Sequence, residues 1–166
     1  MIPSGADVPL DARDADGFID VTVRPVAPGD ADCWSELRTA FWPGTSDAHR
    51  SEIREYFDES PGHWVCFVAV GPDGSIVGIV EVGLRDYAER CRTSPVGYLE
   101  GIYVDPEARA AGVGRMMVAV GEQWARSHGC SEMASDRDLT NDVGGSFHEA
   151  LGFVEAHRQV CYRKDL

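Results

Sequence analysis

No stretch of this 166-residue chain approaches the roughly 18 consecutive apolar residues that cross a bilayer, so neither a membrane-spanning helix nor a membrane partner is expected. Basic residues are scarce: 15 Lys and Arg stand against 28 Asp and Glu, for a net charge of −13. That balance repels phosphate backbones and argues against nucleic acid as a partner. It fits a cationic partner, or simply an acidic soluble surface. There is no CxxC pair and no Cys/His cluster, so no metal site is expected. Cys33, Cys66, Cys91, Cys130 and Cys161 are odd in number and dispersed, which fits reduced thiols in a cytoplasm. Each also reads as a small core residue. The N-terminal stretch is acidic, without the basic-then-apolar order of a secretory signal. Internal repeats and low-complexity segments are missing too.

The length predicts one domain, large enough for a core without staples. Residues 1–19 are rich in Asp, Pro and Gly and read as a flexible acidic leader, leaving 20–166 as the domain. Val21 to Val26 reads as a strand. Asp30 is placed to cap a helix running to Phe41, which Trp42-Pro43-Gly44 stops. A second helix covers Asp47 to Asp58. Trp64–Val70 and Ser75–Leu84 form a hairpin around Gly71-Pro72-Asp73-Gly74. Arg85 to Ser94 is a polar loop, and Tyr98 to Val104 is the fourth strand. A helix over Val113–His128 ends at Gly129, a short strand covers Glu132–Ser135, and a helix over Asn141–Leu151 ends at Gly152. Phe153–Glu155 and Gln159–Arg163 read as two final strands. The expected class is mixed α/β (α+β).

The most informative segment runs from Tyr98 to Arg115. An apolar strand, interrupted only by Glu100 and Gly101, meets the turn at Pro106. The loop Arg109-Ala110-Ala111-Gly112-Val113-Gly114 then opens an amphipathic helix. Glycines ahead of a helix let backbone N–H groups surround an anion, and the helix dipole favours it. The loop is neither a dinucleotide fingerprint, lacking the third glycine, nor a P-loop, lacking Gly-Lys-Ser/Thr. By itself it reads equally as a turn or as a phosphate cradle.

Arg109, Gly112 and Gly114 after a strand, with Asn141, His148 and Leu151-Gly152-Phe153 beyond, resemble the two signatures of the GNAT superfamily of acetyl-CoA-dependent N-acetyltransferases. The resemblance covers about residues 21–166. Further blocks are similar to the aminoglycoside 6'-N-acetyltransferase branch: Trp42-Pro43-Gly44, Asp47-Ala48-His49, Asp86-Tyr87, Ser94-Pro95-Val96, Leu99-Glu100-Gly101-Ile102, Glu132 to Asp136, and Tyr162-Arg163-Lys164. The implied fold is a mostly antiparallel sheet splayed between strands four and five and flanked by about four helices. The implied reaction is direct acetyl transfer, in a ternary complex, from acetyl-CoA to the 6'-amine of an aminoglycoside antibiotic, conferring resistance. A homodimer sharing C-terminal strands is also implied. A GNAT enzyme for another amine, and a non-catalytic acyl-CoA-binding module, are the alternatives.

By the same resemblance, Arg109, Ala110, Ala111, Gly112, Val113, Gly114 and Arg115 wrap the CoA pyrophosphate, and Asn141 contacts CoA. The backbone of Ile102, Tyr103 and Val104 pairs with the pantetheine arm. Asn141 reads alternatively as a helix N-cap, and the side chains of Ile102 and Val104 as strand core. A polycationic acceptor calls for carboxylates. Glu100, alone in an apolar strand, is costly there unless it serves something, and is the candidate proton acceptor. A salt bridge to a neighbouring arginine is its other reading. Asp136 is the second acceptor-binding carboxylate, or else a cap. Trp42 and Tyr87 would line the sugar cleft, with packing after a helix as the alternative for Trp42. Two positions depart from the pattern. His148 stands where many GNAT enzymes carry a tyrosine acid. His157, a candidate acceptor-binding residue, stands where members of the branch can carry an acid that helps bind the drug, a departure that weakens that contact and bears on which aminoglycosides bind. No cysteine has a neighbouring base, so no covalent nucleophile is expected.

Overall fold

The computed structural model describes residues 20–42, 44–59 and 62–166; the predicted leader, 1–19, lies outside them. In chain order the elements are β1 (Thr22–Pro25), α1 (Ala31–Phe41), α2 (Ser46–Glu59), β2 (Trp64–Val70), β3 (Ile76–Arg85), β4 (Val96–Val104), α3 (Val113–Ser127), β5 (Met133–Ser135) and α4 (Asp142–Ala150). Short 3-10 turns precede α1 and follow β4. The strands form one sheet in the order β1-β2-β3-β4-β5, antiparallel except for β4 with β5.

Both faces of the sheet are covered, so its central strands are apolar without clean alternation. On one face, α3 buries Val113, Met117, Val118, Gly121 and Ala125, a single stripe at helical spacing. That stripe packs on Phe67, Ala69, Val80, Val82 and Leu99. On the other face, Trp34 of α1 and Ile53 of α2 pack on Cys66, Val68 and Ile79. The hairpin turn closes as its residues require: Gly74 adopts φ 84°, and the Gly74 N–H donates to the Gly71 carbonyl at 3.0 Å.

Two irregularities position the site. First, the β3–β4 register slips: Glu81 faces Gly101 but Val82 faces Leu99, so Glu100 is an extra residue in β4. Leu99 and Ile102, an odd number apart, therefore share the α3 face, while Tyr103 packs on the α1 side. Second, β5 pairs with β4 only at Gly97, Tyr98 and Leu99. Beyond Leu99 no strand pairs with that edge of β4 among the described residues.

Two expectations are corrected. Residues 153–166 form no strand; Val154, Val160 and Tyr162 are 86%, 74% and 93% exposed. The alternating pattern there is real, but a strand needs a neighbouring backbone, and no strand among the described residues supplies one. Asp30 occupies the N-cap position of α1 without capping it. Its carboxylate instead accepts from Arg24 at 2.6 and 3.0 Å and from the Ala27 N–H at 2.7 Å. Hydrogen bonding from Arg24, above all, lowers the Asp30 pKa.

Candidate active site

The bulge brings Glu100 against the β3 strand at Gly83 and Arg85. A Cβ at Gly83 would stand 2.7 Å from the Glu100 Oε1, so the glycine leaves room for the carboxylate. Arg85 donates to Glu100 through Nε at 3.0 Å and through an Nη at 2.5 Å, a bidentate pair. The salt bridge anticipated as the other reading of Glu100 is thus present. It does not consume the residue, since 31% of the Glu100 side chain remains accessible.

The same guanidinium lies over the Tyr98 ring, its carbon 3.3 Å from the ring centre. The Tyr98 hydroxyl donates to Asp136 at 2.7 Å. Burial first, and the hydrogen bond to Asp136 second, push the phenol far above its ordinary range, so it stays a donor. Glu100 and Asp136 are therefore joined through Arg85 and Tyr98. Neither joining residue was singled out as functional from the sequence. An arginine at the end of an apolar strand, fifteen residues from the carboxylate it pairs with, gives no linear signal.

Trp42 follows α1 in extended conformation, its N–H donating to the Arg38 carbonyl at 2.8 Å. Its six-membered ring lies directly on Gly101: a Cβ there would sit 2.3 Å from the indole. Trp42 thus packs after the helix, against the residue that follows Glu100. Tyr87 is 68% exposed on the loop after β3. A cleft of about 860 Å³ is lined by Arg85, Tyr98, Asp136, His148 and His157, with residues 153–159 and 161 along one wall. Trp42, Tyr87 and Glu100 are not among its lining residues; Arg85 stands between the cleft and Glu100.

His148 is tied on both ring nitrogens, Nδ1 2.6 Å from the Gly144 carbonyl and Nε2 2.9 Å from the Ser135 hydroxyl. Ser135 in turn donates to the Leu99 carbonyl at 3.1 Å. The histidine thereby links α4, β5 and β4 at the point where the two strands part.

At the far end of β4 the backbone is shaped for an anion. Gly112 caps α3 with φ 80°, and Ala110 adopts φ 62°, a left-handed conformation that costs a non-glycine residue about 1 kcal/mol or more. The first hydrogen bond of α3 runs from Met116 to Gly112, leaving the N–H groups of Val113, Gly114 and Arg115 without intrahelical partners. The first turn of α3 carries no acidic side chain. Val113 is buried, so only its backbone is available. Gly114 lets α3 approach α4, because a Cβ there would stand 2.9 Å from Phe147. The two arginines are engaged: Arg109 donates to the Val104 carbonyl at 2.9 Å, and Arg115 to the Ala150 carbonyl at 2.8 Å. Asn141 caps α4, accepting from the Gly144 N–H at 2.9 Å. Ile102 and Val104 pack on the α3-side core, while Tyr103 faces the other core with Arg109 over its ring.

The sequence reading passed over Glu81, which carries the same signal as Glu100: one carboxylate in an apolar strand. Only 3% exposed, it accepts from the Trp34 indole N–H at 2.8 Å and lies 3.0 Å from Arg38 Nε. Burial raises its pKa against the opposing pull of Arg38.

The fourth strand thus bulges at a carboxylate, parts from the fifth and feeds a left-handed loop at a helix N-terminus. Residues 32–153 match the Acetyltransferase (GNAT) family, and the chain belongs to it. It is 44% identical to the aminoglycoside N(6')-acetyltransferase type 1 of Klebsiella aerogenes over 146 residues, 87% of this chain and 96% of that protein. Against the Serratia marcescens enzyme of the same name it is 47% identical over 137 residues, 81% of this chain and 92% of the other. Among solved structures, AAC(6')-Iy in complex with the bisubstrate analogue CoA-S-monomethyl-acetylneamine superposes with a TM-score of 0.82 at 35% identity, covering 88% of this chain and 99% of that one.

Proposed function

We propose that this protein transfers the acetyl group of acetyl-CoA to the 6'-amine of aminoglycosides, and so confers resistance to them. The observation that carries the reading is Glu100, set out of register by the bulge next to a β4 edge left unpaired. When bound, acetyl-CoA supplies the activated acetyl group. The residues fit it: the Ala110–Gly112 loop and the free N–H groups of α3 suit a pyrophosphate, and the open edge of Ile102–Val104 suits an amide-bearing arm. A backbone N–H on that edge stabilises developing negative charge. Glu100 takes the proton of the acceptor's ammonium, directly or through water. Arg85 holds the carboxylate in place, and Asp136 holds a second ammonium. Trp42 and Tyr87 offer flat faces to sugar rings, and His157 borders the acceptor. Arg109, Arg115 and Asn141 shape the CoA end through the contacts described above.

The catalytic domain in this reading is 20–166, preceded by an acidic leader. Two copies associate through the exposed apolar C-terminal segment, which finds in a partner the strand it lacks here; light scattering is expected to give twice the chain mass. The free cysteines support a cytoplasmic location, with neither nucleic acid nor membrane as partner.

The test is thiol release from acetyl-CoA with kanamycin or tobramycin, beside spermidine and a drug lacking the 6'-amine. Release with the 6'-amino drugs alone is expected. Turnover with spermidine alone would replace the substrate class. Acetyl-CoA binding without turnover of any amine would overturn the enzyme reading.

A further inference from the structure

Arg38 has no part in the chemistry above, yet it occupies an unusual place. It sits in the last turn of α1, with its side chain only 13% accessible. Its Nε lies 3.0 Å from Glu81 Oε1 without the alignment of a hydrogen bond, and its Nη1 donates to Glu52 of α2 at 2.6 Å. Two carboxylates on different elements thus fix the guanidinium plane. Its central carbon stands 5.2 Å from the centre of the Trp42 ring, within reach of a cation–π contact. A second support is Gly101, on which the indole rests without room for a Cβ. Glu81 and Gly101 are register partners across β3 and β4, and Gly101 is the residue after Glu100. Phe41 closes a third side, its ring centre 4.8 Å from that of Trp42.

We infer that Arg38 is a positioning residue for acceptor recognition: anchored by Glu81 and Glu52, it clamps the Trp42 indole against Gly101 and so fixes the sugar-facing ring beside Glu100. The helix holds Trp42 only through its N–H, because the chain has already turned extended there. Without the clamp the ring would sample other rotamers, and each binding event would have to order it again. The guanidinium is suited to this, since its planar fork is set by the two carboxylates while its face remains for the indole. This inference rests on the reading that Trp42 contacts the aminoglycoside.

The experiment is a double-mutant cycle of Arg38→Met and Trp42→Ala, reading kcat, KM for tobramycin, KM for acetyl-CoA and thermal melting. Arg38→Met is expected to raise KM for tobramycin about fivefold to tenfold, with KM for acetyl-CoA unchanged. Trp42→Ala raises it at least as much, and the double variant adds nothing further. A full Arg38→Met effect persisting in the Trp42→Ala background would overturn the clamp, as would no effect of Arg38→Met alone. No effect of Trp42→Ala would instead overturn the acceptor role of Trp42 on which the clamp depends. If Arg38→Met leaves Glu81 too poorly compensated to fold, the cycle is run with Glu81→Gln in every member.

Discussion

Replacing Glu100 by Gln is expected to lower kcat/KM for a 6'-amino aminoglycoside by about 10²-fold or more, with acetyl-CoA affinity unchanged. The substitution keeps the volume beside Gly83 and one acceptor for Arg85, so the bulge has no steric reason to close. What goes is the charge that attracts an ammonium and the base that takes its proton. The pH profile then separates the two roles. Without a base, only acceptor that is already deprotonated reacts, so the deficit should shrink as pH rises. If Glu100 served only to attract the cation, the deficit would appear in KM and shrink with added salt. A Gln variant with full activity across pH would remove Glu100 from the mechanism and leave its bond to Arg85 as its whole purpose. Arg85→Ala is the informative companion: it frees Glu100 but also uncovers Tyr98, so acceptor KM should change before kcat does.

Much of this arrangement was legible in the chain, and the failures share a physical cause. The β2–β3 hairpin was readable because turn residues and β-branched runs are local signals, and α3 because its apolar stripe repeats at helical spacing. Glu100 stood out as a charge in an apolar strand, and so did Glu81, which the same criterion should have found. What no linear pattern shows is the bulge, because a register slip depends on two strands at once. The partnership of Arg85 with Glu100, and of Tyr98 with Asp136, likewise depends on which strands become neighbours. The C-terminal segment failed in the opposite direction. Val160 and Tyr162 alternate as strand residues should, but no strand among the described residues pairs with them. Asn141 shows a limit of another kind, for a cap and a ligand contact call for the same residue at the same helix end.

Trp34→Ala is expected to have the largest effect on stability. The indole is fully buried, with ring centres of Tyr56, Phe57 and Trp64 at 5.1, 6.0 and 5.9 Å. Its removal leaves a cavity worth about 3–5 kcal/mol and takes from Glu81 its only hydrogen-bond donor among the described residues, a further loss of about 1–3 kcal/mol. Against a typical domain stability of about 5–15 kcal/mol, this variant should be unfolded or nearly so at room temperature, as read by denaturant titration. Trp34→Phe separates the two losses, since it keeps most of the aromatic packing and removes only the donor. Its sign in pH is fixed by Glu81. Burial raises that carboxyl above its ordinary 4.5, so the folded protein holds the proton more tightly than the unfolded chain. Stability therefore falls as pH rises from about 4.5 through the raised value, and levels off above it. The Trp34 hydrogen bond favours the ionised form and limits that fall. In Trp34→Phe the decline should therefore extend to higher pH, and adding Glu81→Gln should flatten it. If Trp34→Phe instead lost stability equally at every pH, the bond to Glu81 would carry none of the effect, and aromatic packing alone would hold α1 to the sheet.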